Sequence, residues 1–164
     1  MPFSMYGGEL MGYTTEFTGK FVLNKILDDD TFDFLVKLNE TRRMKREVDS
    51  KYGVEGEFFV DGTGFSGQDD DKSIIDYNRP PRTQPSLWCQ WRPTEDRMGI
   101  EWDEGEKFYD YVEWLTYIVK NFLEPKRYIL NGNVEWIGED PNDRGMIVVK
   151  DNKITTKKAK IVYE

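Results

Sequence analysis

The sequence predicts an α+β fold: a mainly antiparallel sheet of about six to seven strands with two α-helices packed on one face. Three observations carry this. Segments with the two-residue alternation of strands are grouped at the two ends of the chain, two stretches with helical spacing lie between them, and turn residues join the last three strands into a meander. At 164 residues the chain has the size of one domain, able to bury roughly 70% of its unfolded surface. In this reading residues 11–164 form that domain and residues 1–10 an N-terminal extension, since Met1, Met5 and Met11 can each begin the chain.

From Gly12 the segment TTEFTGKFVLN alternates as a strand, with Phe17, Phe21 and Leu23 on one side and Thr18, Lys20 and Val22 on the other. The next stretch, ILDDDTFDFLVKLNETRRMKREVDSKYG, predicts a helix from about Asp30 to Lys51. Asp29 or Asp30 caps its start by accepting first-turn N–H groups, and Gly53 supplies a stop. GEFFVDG reads as a short strand. Asp61 to Pro85 is a long polar stretch interrupted by Ile74 to Tyr77, a brief strand; a loop of this length in a compact domain tends to be functional. SLWCQWRP and GIEWDE form a hairpin around TEDRMG, with strands near 86–93 and 98–103. In EGEKFYDYVEWLTYIVKNFLEP, residues Phe108, Tyr111, Val112, Leu115, Val119 and Phe122 recur at spacings of three and four, a second helix ended by Pro125. YILNGNVEWIG, GMIVVKD and ITTKKAKIVYE complete the meander.

Composition removes several functions. The 31 acidic residues outnumber the 23 basic ones, a net charge of -8 that repels a polyanionic backbone, so nucleic acid is not an expected partner. There is no histidine, which removes Ser–His and Cys–His nucleophile pairs, His-containing zinc sites and the commonest general base. Cys89 is the only cysteine, so no intrachain disulfide forms and a cytoplasmic location is expected. No apolar run has membrane-spanning length, and the first residues lack the basic and apolar regions of a secretory signal; neither a membrane nor a cofactor is expected.

The candidate sites begin with NETRRMKRE, a basic knot in an acidic chain. On the expected helix, about 100° per residue puts Arg42, Arg43 and Arg46 on the continuation of the face that carries Phe32, Leu35, Val36 and Asn39, and sends Lys45 elsewhere. Guanidinium forks match phosphate and carboxylate groups, so the counter-ion is either an anionic ligand or one of the chain's own carboxylates. In YNRPPRTQPSLWCQWRP, prolines hold Arg79 and Arg82 in a rigid extended stretch, and Trp88 and Trp91 fall on opposite faces of a strand. One tryptophan belongs to the core; the other, beside Arg79, Arg82 or Arg92, can stack on a base or other flat ligand unless both simply cap the sheet. Cys89 between them reads as a small buried hydrophobe.

Acidic residues form the remaining candidates. Asp69, Asp70 and Asp71 offer oxygen ligands, but GTGFSGQDDDKS lacks the alternation of an EF-hand and GTGFSG is not a phosphate-binding loop, so no metal site is assigned. Glu101 and Asp103 share a strand face, and Glu135 precedes Trp136; these suit acid–base chemistry or simply the wet side of a sheet. Trp114 and Tyr117 lie off the core stripe of the second helix and are the expected contact of a homo-oligomer.

The strings GYTTEFTGKF, ETRRMKR, KYGVEGEFFVDG, DYNRPPRTQPSLWCQW, IEWDEGEKFYDYVEWL and NGNVEWIGED together resemble a family of small uncharacterised proteins of bacteria and bacteriophages, over nearly the whole chain after Met11. That resemblance implies a bacterial or phage cytoplasmic setting and a start at Met11; it implies no activity and no residue roles. The expected function is a non-enzymatic binding protein that captures an anionic, phosphorylated or nucleotide-like small molecule or a protein partner. Its Arg/Trp surface would be drawn from Arg42, Arg43, Arg46, Arg79, Arg82, Trp88 and Trp91. The alternative is a carboxylate- and metal-dependent hydrolase using Glu101, Asp103 or Asp69 to Asp71.

Overall fold

The computed structural model describes residues 12–164, so the expected extension lies outside the described residues. Strands β1 (Thr15–Thr18) and β2 (Phe21–Leu23) bury Phe17, Phe21 and Leu23 and expose Thr18, Lys20 and Val22, the alternation seen in the sequence. Both pair with the long strand β7 (Leu130–Gly138) in one continuing antiparallel register, Thr15 opposite Gly138 and Val22 opposite Asn131. The single expected strand is interrupted at Gly19, where φ is +107° and a Cβ would stand 2.8 Å from the Asn133 carbonyl oxygen. Gly132 on the facing strand has φ +137° and the same tight approach to Lys20, so the two glycines permit the bend together.

Helix α1 (Asp29–Glu40) is shorter than the sequence predicts. Its buried face ends at Leu38, and Thr41 leaves in extended geometry, its Oγ1 donating to the Lys37 carbonyl at 2.7 Å. Beyond it the backbone finds partners elsewhere: Arg42 N donates to Ser66 O, Arg43 N to Leu87 O, Lys45 N to Arg79 O and Glu47 N to Ser73 O. With no further apolar stripe to bury, these bonds displace the helical ones. A small two-stranded sheet follows, β3 (Lys45–Arg46) with β4 (Ile74–Asp76), the latter close to the brief strand expected at Ile74 to Tyr77. GEFFVDG is not a strand. Positive φ at Gly53, Glu55 and Gly56 winds the chain through 3-10 turns there, and Phe58 packs edge-on against Phe34 and Phe122 instead.

The hairpin is present but shorter, β5 (Trp91–Pro93) with β6 (Gly99–Trp102), leaving 86–90 as loop. Helix α2 (Tyr111–Ile118) continues through a π turn to Leu123 and a 3-10 turn containing Pro125. Strands β8 (Arg144–Lys150) and β9 (Lys153–Lys158) finish the meander with β7. The seven-stranded sheet runs β5-β6-β2-β7-β8-β9 with β1 also on β7; every recorded pairing is antiparallel, and both helices share one core cluster with it. Phe17 is its aromatic hub, edge-on to Trp91, Trp102, Phe108 and Tyr111 at 4.9–5.8 Å between centroids. Among the described residues no helix is long and apolar enough to cross a membrane.

Trp114 and Tyr117 are not surface aromatics. Trp114 is fully buried and Tyr117 nearly so, because loops cover the side of α2 that turns from the sheet: Trp114 Nε1 donates to Ser86 Oγ at 2.8 Å and the Tyr117 hydroxyl to Glu57 Oε1 at 2.6 Å. Neither can supply the subunit contact that their helical position implied.

The start of α1 is fixed by Asp28, whose Oδ1 accepts from Thr31 N at 2.7 Å and whose Oδ2 accepts from the Tyr128 hydroxyl at 3.0 Å. The Thr31 N–H chiefly, with the Thr31 and Tyr128 hydroxyls and Lys126, holds this carboxyl down at about 2 against an ordinary 3.8. Asp28→Ala is expected to cost about 1 kcal/mol at neutral pH in urea unfolding. Because the folded pKa is the lower one, that difference is complete well above 3.8 and closes as pH falls toward about 2.

Candidate functional site

The basic knot is extended, and a register irregularity between Lys45 and Arg46 lets Arg43 and Arg46 both turn inward although they are three residues apart. Arg42 does not join them. Its Nε donates to Tyr77 O at 3.0 Å and its guanidinium lies 4.4 Å over the Tyr77 ring, while Lys45 pairs with Glu55 at 3.1 Å.

Arg46 is 2% exposed and is enclosed by the long polar loop. Nη1 donates to Asp71 Oδ2 at 3.0 Å and Ser73 Oγ at 2.9 Å, Nη2 donates to Gly67 O at 2.9 Å, and the Phe59 ring lies 4.7 Å away. Burial lowers the guanidinium's pKa while Asp71 opposes the change. The counter-ion question is thus answered for Arg46: it is the third aspartate of the Asp69 to Asp71 run. Arg43, equally buried, donates from Nη2 to Glu57 O at 2.8 Å and from Nε to Gln84 Oε1 at 3.3 Å, and its Nη1 has no partner among the described residues. Gln84 Nε2 in turn reaches Glu57 O and the Tyr117 hydroxyl, closing a network between two loops and α2. Burial pulls the Arg43 pKa down to about 10, and burial together with the Glu57 carboxylate raises that of Tyr117.

The remaining arginines stand apart. Arg79 is exposed and pairs with Asp76 at 3.3 Å, and exposed Arg82 is held through its backbone N–H by Glu55 Oε1 at 2.8 Å. The predicted arginines therefore do not converge on a cavity. Trp91 is also removed from the site: it is 1% exposed, packs against Phe17, Phe21 and Phe108, and donates Nε1 to Tyr111 O at 2.8 Å.

Trp88 is the predicted residue that does face a concave surface. It is half-buried and forms a shared wall between two depressions of about 590 and 470 Å³. The larger is flanked by Phe65 and Glu40 and floored by Asn39, Gln90 and Asp103; the smaller carries Tyr109, Glu106 and Lys107. The floor is rigid. Asn39 Nδ2 donates to both Cys89 O and Asp103 Oδ2 at 2.9 Å, Gly105 N donates to Asp103 Oδ1 at 2.7 Å, and Gln90 Nε2 donates to Glu106 O at 2.7 Å. Phe65, 87% exposed, stands on a tip where Gly64, Ser66 and Gly67 all have positive φ. The sequence reading missed it; its signal is a lone aromatic in GTGFSG, where glycines supply left-handed geometry that holds a side chain away from the loop body.

The carboxylates do not gather. Glu101 is engaged by Arg92 at 3.1 Å, both Asp103 oxygens accept as above, and Glu135 lies on β7, which β2 separates from β6. Among the described residues no group of three or more His, Cys, Asp or Glu side chains is arranged to hold a metal ion. Cys89 is fully buried and its thiol is pushed up to about 12 by burial, in keeping with a small core residue. Comparison with protein-family models gives no match, and comparisons with curated proteins and with solved structures give none either.

Arg46→Ala is expected to lower stability by about 2–3 kcal/mol in urea unfolding, since Asp71, Ser73 and the Gly67 carbonyl lose their common donor. Hydrogen exchange should accelerate in residues 62–73 while the β7–β8 amides stay protected; uniform acceleration would contradict a pinning role for this side chain.

Proposed function

We propose that this protein is a non-enzymatic binding protein, that its binding face is the aromatic cleft around Trp88, and that its ligand is an extended segment of a protein partner. The observation that carries the reading is Phe65, an almost fully exposed aromatic fixed by a loop pinned through buried Arg46, flanking the same depression as Trp88. Two aromatic walls with a rigid amide and carboxylate floor suit side chains that carry both hydrocarbon and a hydrogen-bonding head. The anionic small molecule suggested by the basic knot loses its support here, because Arg43 and Arg46 are internal and the depressions are bordered by Glu40, Asp103 and Glu106 against the single cation Lys107. A Lys- or Arg-bearing segment complements that charge, and its cation can lie over the Trp88 face. The same proposal keeps the bacterial or phage cytoplasmic setting, on the sequence resemblance and the single cysteine.

The test is a panel of labelled peptides in which Lys or Arg alternates with aliphatic and aromatic residues, set against acidic counterparts and nucleotides. Binding of the basic set is expected, weakening about tenfold or more in Trp88→Ala and in Phe65→Ser, falling with added salt and unchanged in Arg79→Ala. Equal binding of acidic peptides, or indifference to both aromatic substitutions, would reject the cleft as the binding face.

A further inference from the structure

We infer that the partner segment taken by the Trp88 cleft is a proline-rich stretch in polyproline II conformation that carries a Lys or Arg, an inference that rests on the cleft being the binding face. An extended ligand is held either by main-chain pairing to a strand edge or by its side chains and carbonyls against pockets and rings. The lining decides between them. The carbonyls of Leu87, Cys89 and Gln90 already accept from Arg43 N at 2.8 Å, Asn39 Nδ2 at 2.9 Å and Asp103 N at 2.9 Å. Glu106 O likewise accepts from Gln90 Nε2 at 2.7 Å, and Ser66 O from Arg42 N at 3.0 Å. Pro80 and Pro85 have no N–H, and the chain bends through residues 84–87. A strand ladder needs a straight edge of alternating free groups, which this lining does not present. A polyproline II helix needs none, because it makes no internal hydrogen bonds and keeps its backbone in water.

What the lining does offer is aromatic rings with unspent donors. Trp88 Nε1 has no acceptor among the described residues, and since Arg43 Nη1 is the one buried side-chain polar atom left unpaired among them, the indole N–H opens to solvent. Tyr109 is 48% exposed; its oxygen accepts from Tyr13 N at 3.0 Å, and its O–H has no acceptor among the described residues. Both rings stand in the smaller depression, beside Pro80 and Pro85. Pyrrolidine rings pack on such faces with little conformational freedom to lose, and the unpaired carbonyls of the helix accept from the indole and the phenol. Charge lies across Trp88. The larger depression holds Glu40 and Asp103 and, among the described residues, no Lys or Arg, and Glu40 is exposed without an ion pair there. The smaller sets Glu106 against Lys107. The prolines therefore lie between Trp88 and Tyr109, while the basic residue reaches Glu40 with its hydrocarbon stem on Phe65.

Fluorescence anisotropy with labelled nonapeptides and the full chain tests this. RAPPAPPAP and its reverse PAPPAPPAR are set against RAVTAVTAV, of equal charge but strand-forming, and against EAPPAPPAP. The tighter of the two proline-rich basic peptides is expected to bind at least about tenfold more tightly than RAVTAVTAV and than EAPPAPPAP. Trp88→Phe and Tyr109→Phe each keep a ring and remove a donor, and each should weaken that peptide about threefold or more. Glu40→Gln should weaken it too, and leave a neutral AAPPAPPAP unchanged. Binding of the proline-rich peptides that neither donor deletion alters, or EAPPAPPAP binding as tightly as RAPPAPPAP, would overturn the inference. If RAVTAVTAV binds at least as tightly as the proline-rich pair and loses that binding in Trp88→Ala, the cleft stands and the polyproline assignment falls; if no basic peptide binds, both fall.

Discussion

Two guanidiniums buried three residues apart, Arg43 and Arg46, are the constraint on which the loops of this protein depend. Removing such an ion from water costs several kcal/mol, which acceptors offset, and the chain supplies these from segments distant in sequence; one nitrogen, Arg43 Nη1, has no partner among the described residues. Arg46 gathers Gly67, Asp71 and Ser73; Arg43 gathers Glu57 and Gln84. Residues 57–73 and 77–90 contain little regular structure, and side-chain donors take over the ordering that a strand ladder provides elsewhere. A planar fork reaches two segments at once, which an ammonium on a flexible stem does less well.

The cleft inherits its rigidity from the same place. Asn39, in the last turn of α1, ties its floor to Asp103 and the Cys89 carbonyl; Thr41 ends the helix; and the extended arginines that follow hold the loop bearing Phe65. A longer helix would have carried Arg46 away from the Gly67 and Asp71 acceptors and left the tip around Phe65 without its anchor. The early end of α1 is therefore what gives the cleft its outer wall.

The meander and the first strand were legible in the sequence because each is covered on one face only, so alternation survives: Val134, Trp136, Ile147 and Val149 point inward between more exposed neighbours. The end of α1 was not legible. Arg42, Arg43 and Arg46 imitate the spacing of a helical face, and the competing acceptors, Ser66 O, Leu87 O and Arg79 O, lie 24 to 44 residues away in the chain. Trp114 and Tyr117 misled for a related reason, since a single amphipathic stripe does not record a second cover made of loops. For the site, Trp88 was found through aromatic content and Phe65 missed, because a lone aromatic among glycines has no periodicity to reveal it. Arg43 and Arg46 were recognised as inward-turned, but by a helical argument that the extended backbone replaces.

The two sheet ends show how self-contact is steered in such an architecture. At one end β5 is three residues long and finishes at Pro93, which has no N–H to offer a neighbouring strand. At the other, β9 carries Lys153, Lys157 and Lys158, so pairing two copies edge to edge would oppose like charges. Both ladders thus resist simple extension by a second copy.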